Sequence, residues 1–299
     1  MSSKDIDIEF ILKKEREMKR ERLKRAWFRF KRSKLALTGL SIFLALLIAA
    51  TFADYVAPYP KHAGTYVNFK ERFQPPSLKH LFGTDHLGRD IFSRVIFGLR
   101  LAFLMIGIVI SIVLPTGTVL GLIAGYYKGR WIEHIIMRLA DMFVALPPLI
   151  LALSICAILE PNIVNAMIAV TLMWWPWYTR MVYSMTSALR NEPYVWAVRA
   201  LGMRDLSIMF KEILPNILGP ILTKATLDAA WVILIGAAIS FLGLGAQPPT
   251  PDLGTMVSEY MTYFPKNWWM ILGPVLGIAI IIMAFNLLGD GLREVFAGE

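Results

Sequence analysis

The chain has one cysteine and little charge. Cys156 stands alone, so no intrachain disulfide forms and no cysteine-based metal site exists. His62, His80, His86 and His134 show no ligand spacing on a shared helical face and are expected to be scattered surface residues. No GxxxxGK(S/T) phosphate loop, HExxH zinc pair or GxSxG nucleophile elbow occurs, so the chain is expected to bind no cofactor and to be no enzyme by itself. Low-complexity tracts and internal repeats are also missing. Charged residues make up only 18%, where a soluble domain carries about a quarter.

Apolar residues make up the deficit, at 56% of 299 residues. They gather in six blocks, 33–52, 99–124, 135–158, 163–183, 217–244 and 270–288. About 20 apolar residues at 1.5 Å each cross a ~30 Å hydrocarbon core, so the pattern predicts an all-α membrane protein with six transmembrane helices. The last two blocks contain Gly and Pro, which membrane helices tolerate. The aromatic stretch WWPWYTR (174–180) lies in the fourth, where Pro176 predicts a kink and the rings are expected to anchor or pack.

The net charge of +9 points to a membrane surface and away from nucleic acid. Thirteen of the 31 Lys and Arg fall in residues 1–34, directly before the first block. That is where the positive-inside rule places them, facing anionic headgroups. No small-residue cleavage pattern follows the first block, which is expected to stay as a span. The N-terminus is then cytoplasmic, and six crossings return the C-terminus to the same side of the cell membrane. This divides the chain into a basic arm (1–34), a first span (35–53), an extracytoplasmic loop (54–97), a five-helix core (98–292) and a cytoplasmic tail (293–299). The outer segments APYPKH, FQPPS and AQPPTPDLG are expected to be rigid turns.

One inner segment, 191–216, is too polar to span and too patterned for a loop. Tyr194, Ala197, Val198 and Leu201 recur at helical spacing, and so do Leu206, Met209, Phe210 and Ile213. Asn191 is a candidate cap, Pro193 suits a first turn, and Gly202 permits the positive φ of a sharp bend. Asp205 places an acid at the start of the second helix, and Pro215 opens the fifth span. The expectation is two short amphipathic helices bent at Gly202. Such an elbow either docks into a partner protein or lies flat among headgroups.

Other polar residues stand out by position. Asp85, Gly88, Arg89 and Asp90 in GTDHLGRD suggest a self-satisfied loop knot, or a surface that receives another protein. Arg138 and Asp141, at i,i+3, are expected to pair at the inner end of the third span, as a structural pair or part of a gate. Lys224 and Asp228, at i,i+4 inside the fifth span, face a pathway or subunit interface, or else form a snorkelling pair near the boundary.

Five segments carry a family resemblance. Ala197, Gly202 and ILPN (213–216) resemble the EAA loop of ABC-importer permeases, with Trp196, Val198 and Glu212 departing from the usual residues. HLFGTDHLGRDIFSRVIFGLR (80–100), GLIAGYYKGRWIEHIIMRLADMFVALP (121–147), ISFLGLGAQPPTPDLGTM (239–256) and FNLLGDGLRE (285–294) resemble the dipeptide and oligopeptide type, and the long arm its C-type subunit. The resemblance implies the type I permease fold, with Ala197, Leu201, Gly202, Asp205, Phe210, Ile213, Leu214 and Pro215 in coupling helices (191–215) that dock on an ATPase. It also implies a second homologous permease, two ATP-binding subunits that use ATP and Mg, an extracytoplasmic substrate-binding protein, and import of di- or oligopeptides. Oligosaccharides, nickel or another small solute are alternative cargoes. An ATP-independent channel or carrier is the alternative of another class, one that needs no cytoplasmic elbow.

Overall fold

The computed structural model describes residues 27–296 together with Glu21 and Lys24. The basic arm expected over 1–34 therefore lies mostly outside the described residues, as does the end of the tail. Among the described residues there are helices and turns, and the only β-type pairing is an isolated bridge, Thr84 with Asp90. The helices of eight or more residues are α1 (Lys34–Thr51), α2 (Ile91–Tyr126), α3 (Trp131–Val144), α4 (Pro148–Ile158), α5 (Ile163–Leu189), α6 (Pro193–Ala200), α7 (Leu214–Phe241), α8 (Leu253–Met261) and α9 (Trp269–Phe296).

Side-chain caps fix four helix starts. Ser33, Asp90, Asn162 and Asp252 accept bonds from the backbone N–H three residues on, opening α1, α2, α5 and α8. Among the described residues four helices are long and apolar enough to cross a membrane: α1, α2, the run Asp205–Phe241 that contains α7, and α9. A fifth crossing is available if α3 and α4 act together. They are bent by 88° at a short break, which corrects the expectation of one helix over 135–158. The cause is local: Pro147 and Pro148 remove two N–H donors and disfavour helix in the residues before them. α5 has 27 residues, enough length to cross, but its aromatic and polar residues keep it less apolar than the others. It runs unbroken through Pro176.

α2 and α5 make the most extensive helix–helix contact. Its cause is a ladder of small residues. Gly117, Gly121 and Gly125 face α5 so closely that a Cβ on each would lie 2.4 Å from Tyr178 Cβ, 2.6 Å from Val182 Cβ and 2.6 Å from Thr186 Cβ, respectively. Small residues at four-residue spacing let membrane helices approach backbone to backbone. The same device seats the C-terminal GDG: Gly289 faces Leu227 of α7, and Gly291 faces Ala36 of α1.

Ser33 donates to Glu294 at 2.8 Å, so α1 begins beside the end of α9. A Cβ on Gly219, near the start of α7, would lie 2.9 Å from the Phe296 ring, so α7 also begins there. At the opposite end, the segment expected as Pro-rich turns contains α8, whose Leu253, Gly254, Met256 and Tyr260 are buried. Gly254 makes this possible, since a Cβ there would lie 2.3 Å from the Ala237 carbonyl oxygen of α7. Exposed Leu37, Leu44, Ile48, Ile112, Leu234 and Leu272 give the long helices an apolar exterior suited to lipid.

Candidate functional site

The elbow begins as its sequence suggests, with Pro193 in the first turn of α6. The cap position is Glu192, whose side chain makes no capping bond, so the expected Asn191 cap is replaced by the start that proline alone favours. Gly202 has φ +81 and nothing within 4 Å of its Cβ direction, so it is there for the bend and not for packing. The second half differs from expectation. Asp205–Ser207 leads through a π-helical turn, Ile208–Ile213, straight into α7. There is one short helix and one long one, not two short ones. Pro215, in the first turns of α7, has no N–H to give, which loosens the bonding pattern where the π turn hands over.

Burial also departs from simple periodicity. Val195 is fully buried and Val198 half-buried, whereas Tyr194, Ala197 and Leu201 of the expected apolar face are exposed. Val195 packs with Ile208, Met209 and Ile213 against Leu122 and Tyr126 of α2 and Val182 of α5. The elbow is thus clamped to the C-terminal ends of α2 and α5 by its inward residues. Its outward tip carries Trp196 at 56%, Leu201 at 87%, Leu206 at 64% and Phe210 at 42% exposure. Leu214 is half-buried behind the tip.

Polar contacts lock the clamp. Asp205 accepts the Tyr126 hydroxyl at 2.7 Å and the Tyr127 hydroxyl at 3.0 Å. Burial, reinforced by the bond to Asp205, raises the Tyr127 pKa and keeps its phenol a donor. Arg190, at the end of α5, donates to the Tyr126 and Lys128 carbonyls at 2.9 and 3.0 Å. Arg199 lies over the Tyr126 and Trp196 rings at 5.1 and 5.4 Å. Arg190 and Arg199 were not singled out from the sequence, because neither carries a motif; their roles come from the α2 end they meet.

Lys224 and Asp228 pair as spaced, at 2.9 Å, with Asp228 buried and Lys224 about a quarter exposed. The Lys224 ammonium also sits 5.3 Å from the Tyr178 ring of α5. Arg138 and Asp141 do not pair. Asp141 accepts from Arg180 of α5 at 2.7 Å, and Arg138 is exposed.

At the N-terminal start of α2 the knot is real and buried. Asp85 accepts from the Leu87 and Arg89 amides at 2.9 Å and from Arg89 Nε at 2.6 Å, with Tyr260 of α8 at 3.3 Å. Asp90 caps α2 through the Ser93 amide and hydroxyl, both at 2.7 Å, and meets His80 Nδ1 at 2.8 Å. The Asp90 amide donates to His62 Nδ1 at 2.8 Å. His62 and His80 are therefore buried knot members, which corrects their expected place on the surface; His86 is half-buried, and His134 is exposed. Burial lowers the pKa values of His62 and His86, and a neutral ring is what the bond accepted by His62 requires. Gly88, at φ +76, lies against Asn68, with 2.0 Å between its Cβ direction and the Asn68 carbonyl oxygen. Among the described residues no three His, Cys, Asp or Glu side chains gather as a metal site.

Two family models match the chain. Residues 117–298 match the binding-protein-dependent transport system inner membrane component, and residues 21–76 match the N-terminal transmembrane domain of oligopeptide transport permease C. The chain is 42% identical to the dipeptide transport system permease protein DppC of Alkalihalophilus pseudofirmus, over 90% of this chain and 87% of that one. It is 41% identical to the di/tripeptide transport system permease protein DppC of Pseudomonas aeruginosa, over 91% and 90%. It is 38% identical to the glutathione transport system permease protein GsiD of Shigella dysenteriae, over 90% and 88%.

Proposed function

This chain belongs to the family of binding-protein-dependent transport system inner membrane components, the membrane part of ABC importers, and from that premise we propose that its elbow receives ATP-driven motion while its long helices form half of a pathway for short peptides. The observation that carries the proposal is the contrast at 193–210. Val195, Ile208 and Met209 are clamped to α2 and α5, while Trp196, Leu201, Leu206 and Phe210 point outward without cover. A headgroup-lying helix pair needs no such clamp. A lever that transmits force from a partner needs both a rigid root and an apolar tip. The partners in this reading are two ATP-binding subunits that use ATP and Mg, a second homologous permease and an extracytoplasmic binding protein.

Six crossings result if α1, α2, the bent pair α3–α4, α5, α7 and α9 each cross once. The neighbouring positions of the α1 start, the α7 start and the α9 end support that count, since an even number returns both termini to one side. The 13 basic residues of 1–34 favour the cytoplasm for that side. The core over 98–292 and the outer loop over 54–97 keep their expected roles, with Asp85, Gly88, Arg89 and Asp90 holding the surface offered to the binding protein. Lys224 and Asp228 face the pathway or the second permease. Short peptides are the cargo because the relatives named above are peptide and glutathione permeases.

The test is ATPase activity of the purified complex in lipid with its copurifying binding protein, comparing a dipeptide and tripeptide pool with an oligosaccharide pool. Stimulation by peptides is expected; stimulation by sugars alone overturns the cargo. Leu201→Glu with Leu206→Glu should release the ATPase subunits while the chain still inserts. Normal copurification and transport in that variant overturns the lever.

A further inference from the structure

Between the α2–α3 turn and the elbow lies a cavity of about 290 Å³. Tyr126, Tyr127, Lys128 and Arg130 line one side, and Arg190, Arg199 and Asp205 the other. Four cations against one carboxylate leave the lining at a formal +3. The carboxylate is already engaged, since Asp205 accepts from both tyrosines. Among the described residues, none of the four cations has an ion-pair partner. Arg190 spends its Nη1 on carbonyls, while Arg199 and Arg130 lie over aromatic rings, at 5.1 and 5.3 Å. Glu133, in the first turn of α3, is likewise engaged, accepting from the Gly129 amide at 2.6 Å and the Tyr183 hydroxyl at 2.6 Å. A concave site with concentrated positive charge and hydroxyl groups is built for an anionic oxygen cluster.

Depth favours one source for that anion. The cavity sits where α2 ends and α3 begins, at the boundary of an apolar helix. Gly129, at φ +87, makes the turn that holds Lys128 and Arg130 side by side. The next residue, Trp131, is 69% exposed, as an interfacial anchor is. A basic pocket between helices at this level fits a lipid headgroup. The volume suits a phosphodiester head better than a drug-sized ligand.

We infer that this cavity binds the phosphate of an anionic phospholipid. A bound phosphate there neutralises charges brought together from the α2–α3 turn, the end of α5 and α6, and so ties the elbow to its root. This goes beyond the transport reading, because lipid binding does not depend on what the pathway carries.

The test uses the full chain with its copurifying subunits, in nanodiscs of phosphatidylcholine alone or with phosphatidylglycerol. Native mass spectrometry after delipidation reads retained phosphatidylglycerol. Wild type is expected to retain it, and Lys128→Gln and Arg130→Gln are each expected to weaken retention about fivefold. Arg130→Lys keeps the charge and should keep the lipid, which separates binding from folding. Equal retention in wild type and the Gln variants overturns the inference. A second arm titrates inorganic phosphate into phosphatidylcholine discs and follows the part of the tryptophan fluorescence that Trp131→Phe removes. Saturation by free phosphate that the Gln variants abolish, with no phosphatidylglycerol preference, overturns the lipid assignment. Loss of the ATPase subunits from the Gln variants in phosphatidylcholine makes the cavity a protein contact and overturns it too.

Discussion

Replacing Gly121 by alanine adds one methyl group where α2 has no room. The new Cβ would meet Val182 Cβ at 2.6 Å, the Thr179 carbonyl oxygen at 2.7 Å and the Tyr183 amide nitrogen at 3.0 Å. Two of these three atoms are backbone, so no rotamer change relieves them. Carbon atoms rest at about 3.5–4.0 Å, so α2 and α5 must move apart by about 1 Å. Overpacking of this kind costs about 1–3 kcal/mol. Gly107, on the same helix, is the control, because nothing lies within 4 Å of its Cβ direction. Gly107→Ala should be neutral or gain up to about 1 kcal/mol from helix propensity. Reversible unfolding in detergent, monitored by circular dichroism, gives both values. The same variants then enter the transport assay, since α5 leads directly to the elbow and its displacement should lower transport more than ATP turnover. Equal stability of Gly121→Ala and Gly107→Ala would falsify the close-packing argument for the ladder.

Three further outcomes follow from particular contacts. Asp228→Leu leaves Lys224 without its partner and should cost about 2–4 kcal/mol, below the top of the range for buried pairs because Lys224 is partly exposed; adding Lys224→Met should restore stability without restoring transport, and full transport in the double variant excludes a pathway role. His62 has a depressed pKa in the fold, so the unfolded chain takes up its proton first. Stability should then be complete above about pH 6.5 and decline as pH falls, with a shallower decline in His62→Gln; parallel pH profiles refute this. Asp141→Asn removes a half-exposed cross-helix pair and should cost less than about 1 kcal/mol, so a severe loss of transport with an intact fold marks Arg180–Asp141 as a moving contact.

Much of the architecture was legible because the signals were local. Pro193 and Pro215 fix φ and Gly202 permits a positive φ regardless of neighbours, and each is where the sequence placed it. Lys224 and Asp228 pair across one helical turn, as their i,i+4 spacing allows. The misreadings were choices between neighbours. Asp141 had Arg138 within reach on its own helix and takes Arg180 of α5. Tyr194 and Leu201 fit the apolar stripe of α6, but Val195 is the residue that meets Ile208 and Tyr126. His62 and His80 look unremarkable until Asp90 is brought between them. The glycine ladder was visible as GxxxGxxxG over 117–125, a signal that marks a close-packing face on α2 but not which helix fills it.

The continuous run Asp205–Phe241 has 37 residues, about 55 Å of helix at 1.5 Å per residue. A body of that length behaves as a connecting rod. Each degree of tilt about one end carries the other by about 1 Å. One end bears Asp205, held by Tyr126 and Tyr127; the other bears Ala237, pressed against Gly254 of α8. α8 in turn supplies Tyr260 to Asp85 in the buried knot. The elbow and the knot are therefore geared through a single piece of backbone, and neither can be displaced far while the other stays in place.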